Sequence, residues 1–170
     1  VEEILLAYRE RYLTLREDPR FKLIIIFKNH GRAAGTSLEH PHSQIIATPI
    51  VPPHVRNPLY QSQLACDTFG DCIYCGMMEE ELRQKSRVVK ETEYFLALCP
   101  FASRSPFETR IYPKIHHSSF ATVSDRELQD FAFVLRDTLK RLSIGLNDPD
   151  YNYIIRSAPI EDKDVKYHHW

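Results

Sequence analysis

Two stretches of this chain, about 130 residues apart, pass through the same order of local signals, and this parallel limits the fold more than any other feature. Residues 1–16 place Ile4, Leu5, Tyr8, Tyr12 and Leu15 at three- and four-residue spacing among Glu and Arg, the pattern of an amphipathic helix. Asp18-Pro19 ends it, because a residue before proline is pushed out of the helical region. An apolar strand over 21–27, a loop over 29–37 and His40-Pro41-His42 follow. The second stretch repeats the order: a helix over 124–146, Asp148-Pro149, a strand over 151–155, a loop, and His168-His169-Trp170. Superposing the two sets Asp18 on Asp148, Pro19 on Pro149, Ile24 on Ile154 and Ile25 on Ile155, with His40 one step from His169. The expectation is an α+β chain: duplicated antiparallel half-sheets, each with a long helix.

The later helix carries the clearest signals. Ser124 with Glu127 three positions on forms a capping box, and Leu128, Phe131, Leu135, Leu139 and Leu142 make its apolar stripe. Between the two helices, the pattern predicts a strand over 40–49, a short charged helix over 77–85, and strands over 94–98 and 107–113 around a Ser103-Arg104-Ser105-Pro106 turn. Pro52, Pro53 and Pro58 predict a surface connector running to about Asp71. The expected organisation is therefore 1–58 as the C-terminal part of a first repeat, 59–71 as connector, and 72–170 as a second repeat incomplete at its C-terminus. No initiator Met opens the chain, and the second copy stops where the first has most of its histidine strand still to come, so a chain cut at both ends is expected.

Composition excludes several classes. Lys plus Arg number 22 against 23 Asp plus Glu, a net charge of -1, which argues against a polybasic nucleic-acid or membrane-surface binder. The longest apolar run, 23–27, is far short of the roughly 20 residues of a membrane span. Four cysteines are too sparse for a disulfide scaffold, so a reducing, cytoplasmic setting is expected.

The most informative segment is 27–44. Side chains alternate along a strand, so His40, His42 and Gln44 share one face while Pro41 and Ser43 point away. Just upstream lies a glycine-containing loop with Ser37, whose backbone N–H groups suit anionic oxygens. Neutral imidazole beside such a loop is a competent nucleophile at phosphorus and needs no deprotonating base near pH 7. Eight histidines give roughly 0.4 His-x-His pairs by chance, so the pair alone says little. The loop, the flanking proline and Gln44 supply the remaining weight.

Cys72-Ile73-Tyr74-Cys75 is a second constellation. Thioredoxin-type redox chemistry wants such a pair opening a helix directly after a strand, and here it follows the proline-bearing connector. A zinc site needs two more ligands, which His116 or His117 and His168 or His169 can supply; buried free thiols are the plain alternative. Cys66 and Cys99 read as small hydrophobes, His30 and His54 as solvated loop residues, Lys114 as a solvated lysine, and Glu79-Glu80-Glu81 as a helix surface.

The run Gly35-Thr36-Ser37-Leu38-Glu39-His40-Pro41-His42-Ser43-Gln44, preceded by Phe27-Lys28-Asn29, resembles the nucleotidyl-transfer motif of the galactose-1-phosphate uridylyltransferase branch of the histidine triad superfamily. The Cys-x-x-Cys, the Tyr-Pro-Lys-Ile-His-His-Ser-Ser-Phe run from Tyr112, the 147–153 segment and Tyr167-His168-His169-Trp170 are similar to the second repeat of its two-zinc members, with plant-type ADP-glucose phosphorylases nearest in character. The resemblance implies a histidine-triad-like fold. It makes His42 the nucleophile that takes a nucleoside monophosphate covalently. Gln44, Ser37 and Gly35 would contact the transferred phosphate, and Asn29 the nucleotide. His40 would ligate a first zinc, for which the chain shows no co-ligands, and Cys72, Cys75, His116 and His169 would hold a second. The implied substrates are a nucleoside diphosphate sugar and a phosphate or sugar-phosphate acceptor, in a full-length protein that is a homodimer. The alternatives are an ADP-glucose phosphorylase, a dinucleotide phosphorylase or hydrolase, and a non-catalytic, zinc-stabilised nucleotide-binding module.

Overall fold

The protein is described by a computed structural model over residues 1–36, 42–162 and 165–170. Helix α1 (Glu2–Arg16) carries Glu2 and Glu3 in its first turn and Arg16 in its last, matching the helix dipole at both ends, and buries Leu5, Tyr8 and Tyr12. Past its end, Asp18 accepts from the Arg20 backbone N–H and turns the chain into strand β1 (Leu23–His30). β1 pairs antiparallel with β2 (Ser43–Thr48) on one side and with β6 (Tyr151–Ile155) on the other, giving the order β2-β1-β6.

The two strands that follow Asp-Pro in the sequence lie side by side and antiparallel, with Ile26 opposite Ile155 and Phe27 opposite Ile154, so central β1 takes β6 from far along the chain as an edge partner. Its inner face, with Ile24, Ile26, Ile45, Ala47, Tyr153 and Ile155, packs into the main core. Its outer face presents Ile25, Phe27, Asn29, Gln44, Ile46, Asn152 and Ile154, the alternate residues of the same three strands.

The second sheet has the order β3-β4-β5, from β3 (Val88–Glu91), β4 (Phe95–Leu98) and β5 (Arg110–Pro113). β4 is buried on both faces. Phe95 and Ala97 join the main core with Leu128, Phe131 and Leu135 of helix α4 (Asp125–Gly145). Leu96 and Leu98 meet Met78 and Tyr112, with Tyr74 and Leu82 of helix α3 (Ile73–Gln84) packed against them. The Ser124–Glu127 capping box forms as expected, each residue satisfying a backbone N–H of the other.

Several boundaries differ from the sequence expectations. β1 runs on to His30, where a loop is expected from residue 29, because β6 supplies ladder partners for Asn29 and His30. The connector is helical. Helix α2 (Pro53–Phe69) starts with Pro53 in its first turn, where no N–H partner is needed, and ends at Gly70, whose φ of 86° makes the left-handed cap. Pro58 sits inside it, and Leu59 and Ser62 are buried. Helix α3 begins at Ile73 rather than 77, so Cys72 is its N-cap. β3 has no signal distinct enough to be read from the sequence.

Candidate active site and metal centre

Four side chains from three separate parts of the chain converge: Cys72 and Cys75 at the start of α3, His116 just past β5, and His169 beside Trp170. Their ligand atoms all lie within 4.8 Å of one another. Cys75 Sγ is 3.4 Å from His116 Nδ1 and 3.7 Å from His169 Nδ1, against about 3.5 Å for sulfur and nitrogen bound tetrahedrally to one zinc. Packing fixes each arm. Trp170 is buried against Phe95, Phe120 and Phe131, and its backbone N–H donates to the His117 carbonyl at 3.0 Å.

Hydrogen bonds also choose between the paired histidines. His116 Nε2 lies 3.1 Å from the Val165 carbonyl and His169 Nε2 lies 2.5 Å from the Pro113 carbonyl. A carbonyl only accepts, so both rings carry their proton on Nε2 and turn a bare Nδ1 toward the cysteines. Their neighbours are engaged elsewhere: His117 bonds Glu127 at 2.8 Å and Thr122 at 3.2 Å, and His168 bonds the Arg156 carbonyl.

Burial, then the neighbouring Cys72, pushes the Cys75 thiol up to about 12, and burial pulls His169 down to about 4. A Cys75 sulfur that resists ionisation, Cys72 beside it, and two imidazoles each oriented by a backbone carbonyl are a donor set that a soft divalent cation completes. Cys72 and Cys75 do open a helix, but helix α2 precedes it where a thioredoxin-type site has a strand.

The nucleophile candidate lies on the other sheet. Ser43, between His42 and Gln44, turns its hydroxyl inward, where it accepts from the Tyr8 hydroxyl, itself 3.0 Å from Tyr153 Oη. Alternation then puts Gln44 on the outer face, and His42 stands just ahead of the strand at that end of the sheet. There Gln44 stands opposite Phe27, Phe27 opposite Ile154, and Asn29 opposite Asn152. Of the residues predicted for this site, Asn29, Gly35, His42 and Gln44 are thus gathered at one end of the sheet; Ser37 and His40 lie outside the described residues.

The loop after β1 is held from the second half of the chain. Asp150 accepts from the Ala33 backbone N–H, and a Cβ at Gly31 would stand 1.8 Å from Asp150 Oδ1 at a φ of 84°. Gly35 also has positive φ, 82°, and a Cβ there would meet Asn29 Nδ2 at 3.9 Å. Sequence reasoning misses the role of Asp150, which falls there only within the 147–153 segment and is given no part of its own.

Comparison with known proteins follows the same lines. Residues 54–170 match the family described as galactose-1-phosphate uridyl transferase, C-terminal domain, and residues 1–50 match the N-terminal domain of a domain of unknown function, DUF4931. The chain is 35% identical to an ADP-glucose phosphorylase of Arabidopsis thaliana, covering 100% of this chain and 48% of that protein. It is 34% identical to a galactose-1-phosphate uridylyltransferase of Thermotoga maritima, covering 98% and 52%. Among solved structures, an Arabidopsis thaliana ADP-glucose phosphorylase with bound ADP-glucose superposes with a TM-score of 0.91 at 34% identity, covering 100% of this chain and 54% of that one. A uridylyltransferase superposes at 0.92 and 33% identity, covering 99% and 52%. The chain spans about half the length of these relatives.

Proposed function

Because the chain belongs to the galactose-1-phosphate uridyl transferase family, we propose that the full-length protein moves a nucleoside monophosphate from a nucleoside diphosphate sugar to a phosphate or sugar-phosphate acceptor through a covalent intermediate on His42. The observation that carries this reading is the outer end of the first sheet, where His42, Gln44 and Asn29 lie beside a loop fixed by Asp150.

A ring nitrogen of His42 attacks the α-phosphorus, and the bond to the bridging oxygen breaks. The sugar 1-phosphate leaves with that electron pair. An oxygen of the acceptor then attacks the same phosphorus, and the phosphorus–nitrogen bond breaks to return His42. Phosphate as acceptor yields a nucleoside diphosphate; a sugar phosphate yields a new nucleotide sugar. Splitting the transfer into two displacements means that the acceptor and leaving group use one site in turn. Gln44 donates to the transferred phosphate, with Gly35 and Ser37 on the same group, and Asn29 holds the nucleotide. Inward anchoring of Ser43 by Tyr8 keeps His42 and Gln44 turned out.

Zinc fits the four-residue cluster, and Cys72, Cys75, His116 and His169 would hold it as a structural link between the start of α3, the end of β5 and the Trp170 anchor. His40 is assigned to a separate first zinc. The full-length protein is assigned as a cytoplasmic homodimer that binds no nucleic acid; among the described residues no helix is long and apolar enough to cross a membrane.

Phosphate is favoured as the acceptor by the likeness to ADP-glucose phosphorylase. The test is to give full-length protein ADP-glucose and UDP-glucose with phosphate, galactose 1-phosphate or water as acceptor. Phosphate-dependent release of nucleoside diphosphate is expected. Turnover with water alone would favour the hydrolase alternative.

A further inference from the structure

Three primary amides share the outer face of the first sheet at the His42 end. Two of them, Asn29 and Gln44, already have roles in the proposed chemistry. The third, Asn152, has none. It stands on β6 directly opposite Asn29, is exposed, and makes no side-chain hydrogen bond to a described residue. Asparagine is disfavoured inside a strand, and at a core-distant, unbonded position it contributes nothing to packing. Its neighbours on the face complete a surface suited to one kind of group. Phe27, partly buried, and Ile154, 47% exposed, stand side by side in the next row and form an apolar floor. A donor–acceptor amide at the edge of such a floor matches a sugar ring, whose C–H face is apolar and whose rim carries hydroxyls.

We propose that Asn152 is a substrate-binding residue that hydrogen-bonds adjacent hydroxyls of a sugar ring seated over Phe27 and Ile154. Adjacent strands are about 4.8 Å apart, so β6 lies about 10 Å from the β2 strand that leads from His42. A ring attached through the transferred phosphate spans that distance. The ring is either the ribose or the hexose of the nucleotide sugar, which share this hydroxyl chemistry. Naming the ligand rests on the His42 reading; the site itself is built from the strand register.

The experiment measures equilibrium binding of ADP-glucose and UDP-glucose to full-length protein and to Asn152→Ala, a readout independent of turnover. Loss of a neutral hydrogen-bonding partner predicts binding about 5- to 20-fold weaker, with an unchanged melting temperature. Asn152→Asp, which keeps the size but sets a negative charge near a phosphate-bearing ligand, should weaken it further. Analogues lacking a ribose or a hexose hydroxyl locate the contact: the one that wild type and Asn152→Ala bind equally identifies the ring. Binding by both variants within twofold of wild type overturns the proposal. If Asn152→Ala binds weakly while wild type never forms nucleotidyl-His42, the nucleophile assignment fails and Asn152 stands. If His42 takes label while Asn152→Ala binds as wild type does, the Asn152 contact fails and the nucleophile assignment stands.

Discussion

His169 Nε2 meets the carbonyl of Pro113 at 2.5 Å, so the last residue of β5 sets which nitrogen of His169 faces Cys75. The bond joins backbone geometry to metal chemistry. It predicts that the chain holds about one equivalent of zinc, and that Cys72→Ser, Cys75→Ser and His169→Ala each lose it. Chelation should lower the melting temperature by about 10 °C, the shift expected when a ligand of roughly 1,000-fold excess over its dissociation constant is removed from a domain of this size. Elemental analysis and melting curves check both statements. His168→Ala and His117→Ala should keep their zinc, since those rings bond elsewhere.

A second prediction concerns acid. Burial raises the Glu127 carboxyl, but the Ser124 hydroxyl and N–H and the His117 ring outweigh it and hold the group below its ordinary value of 4.5. A group depressed in the folded state adds stability above its unfolded pKa and loses it as pH falls through the folded one. Wild type should therefore shed stability relative to Glu127→Gln as pH drops below about 4.5, while near pH 7 the variant should be less stable by about 1 kcal/mol through the weakened capping box. Melting curves from pH 3 to 7 for the two proteins measure the difference.

The loop glycines separate strain from collision. Gly31→Ala puts a methyl group into Asp150 at a left-handed φ, and should cost more than about 2 kcal/mol and slow nucleotidyl transfer with it. Among the described residues a Cβ at Gly35 would meet only Asn29 Nδ2, at 3.9 Å, so Gly35→Ala adds the left-handed cost, and about 1 kcal/mol is expected. Denaturant unfolding of the two variants checks the order.

Much of the fold is legible in residue patterns with strong local physics. The capping box of Ser124 and Glu127, the apolar stripe of α4 and the breaks at Asp18-Pro19 and Asp148-Pro149 depend on neighbours in the chain. What stays hidden depends on distant partners. Nothing near Asn29 says that it continues a strand, because its ladder partner, Asn152, is far along the chain. The choice of His116 over His117 rests on the Val165 carbonyl, and that of His169 over His168 on Pro113. The proline-marked connector misleads for a related reason: Pro53 at a helix start is favourable, and only the burial of Leu59 and Ser62 shows that a helix follows. The role proposed for His42 comes from the family resemblance, while the register of β2 against β1 places Gln44 opposite Phe27.

The most direct measurement is covalent labelling. Full-length protein incubated with nucleotide sugar radiolabelled in the α-phosphate should acquire label on His42, stable in base and lost in acid, as expected for phosphorus bound to imidazole nitrogen. Added phosphate should discharge it, and His42→Ala should take up none. Equal labelling of His42→Ala, or steady turnover by wild type with no labelled protein, would contradict the account.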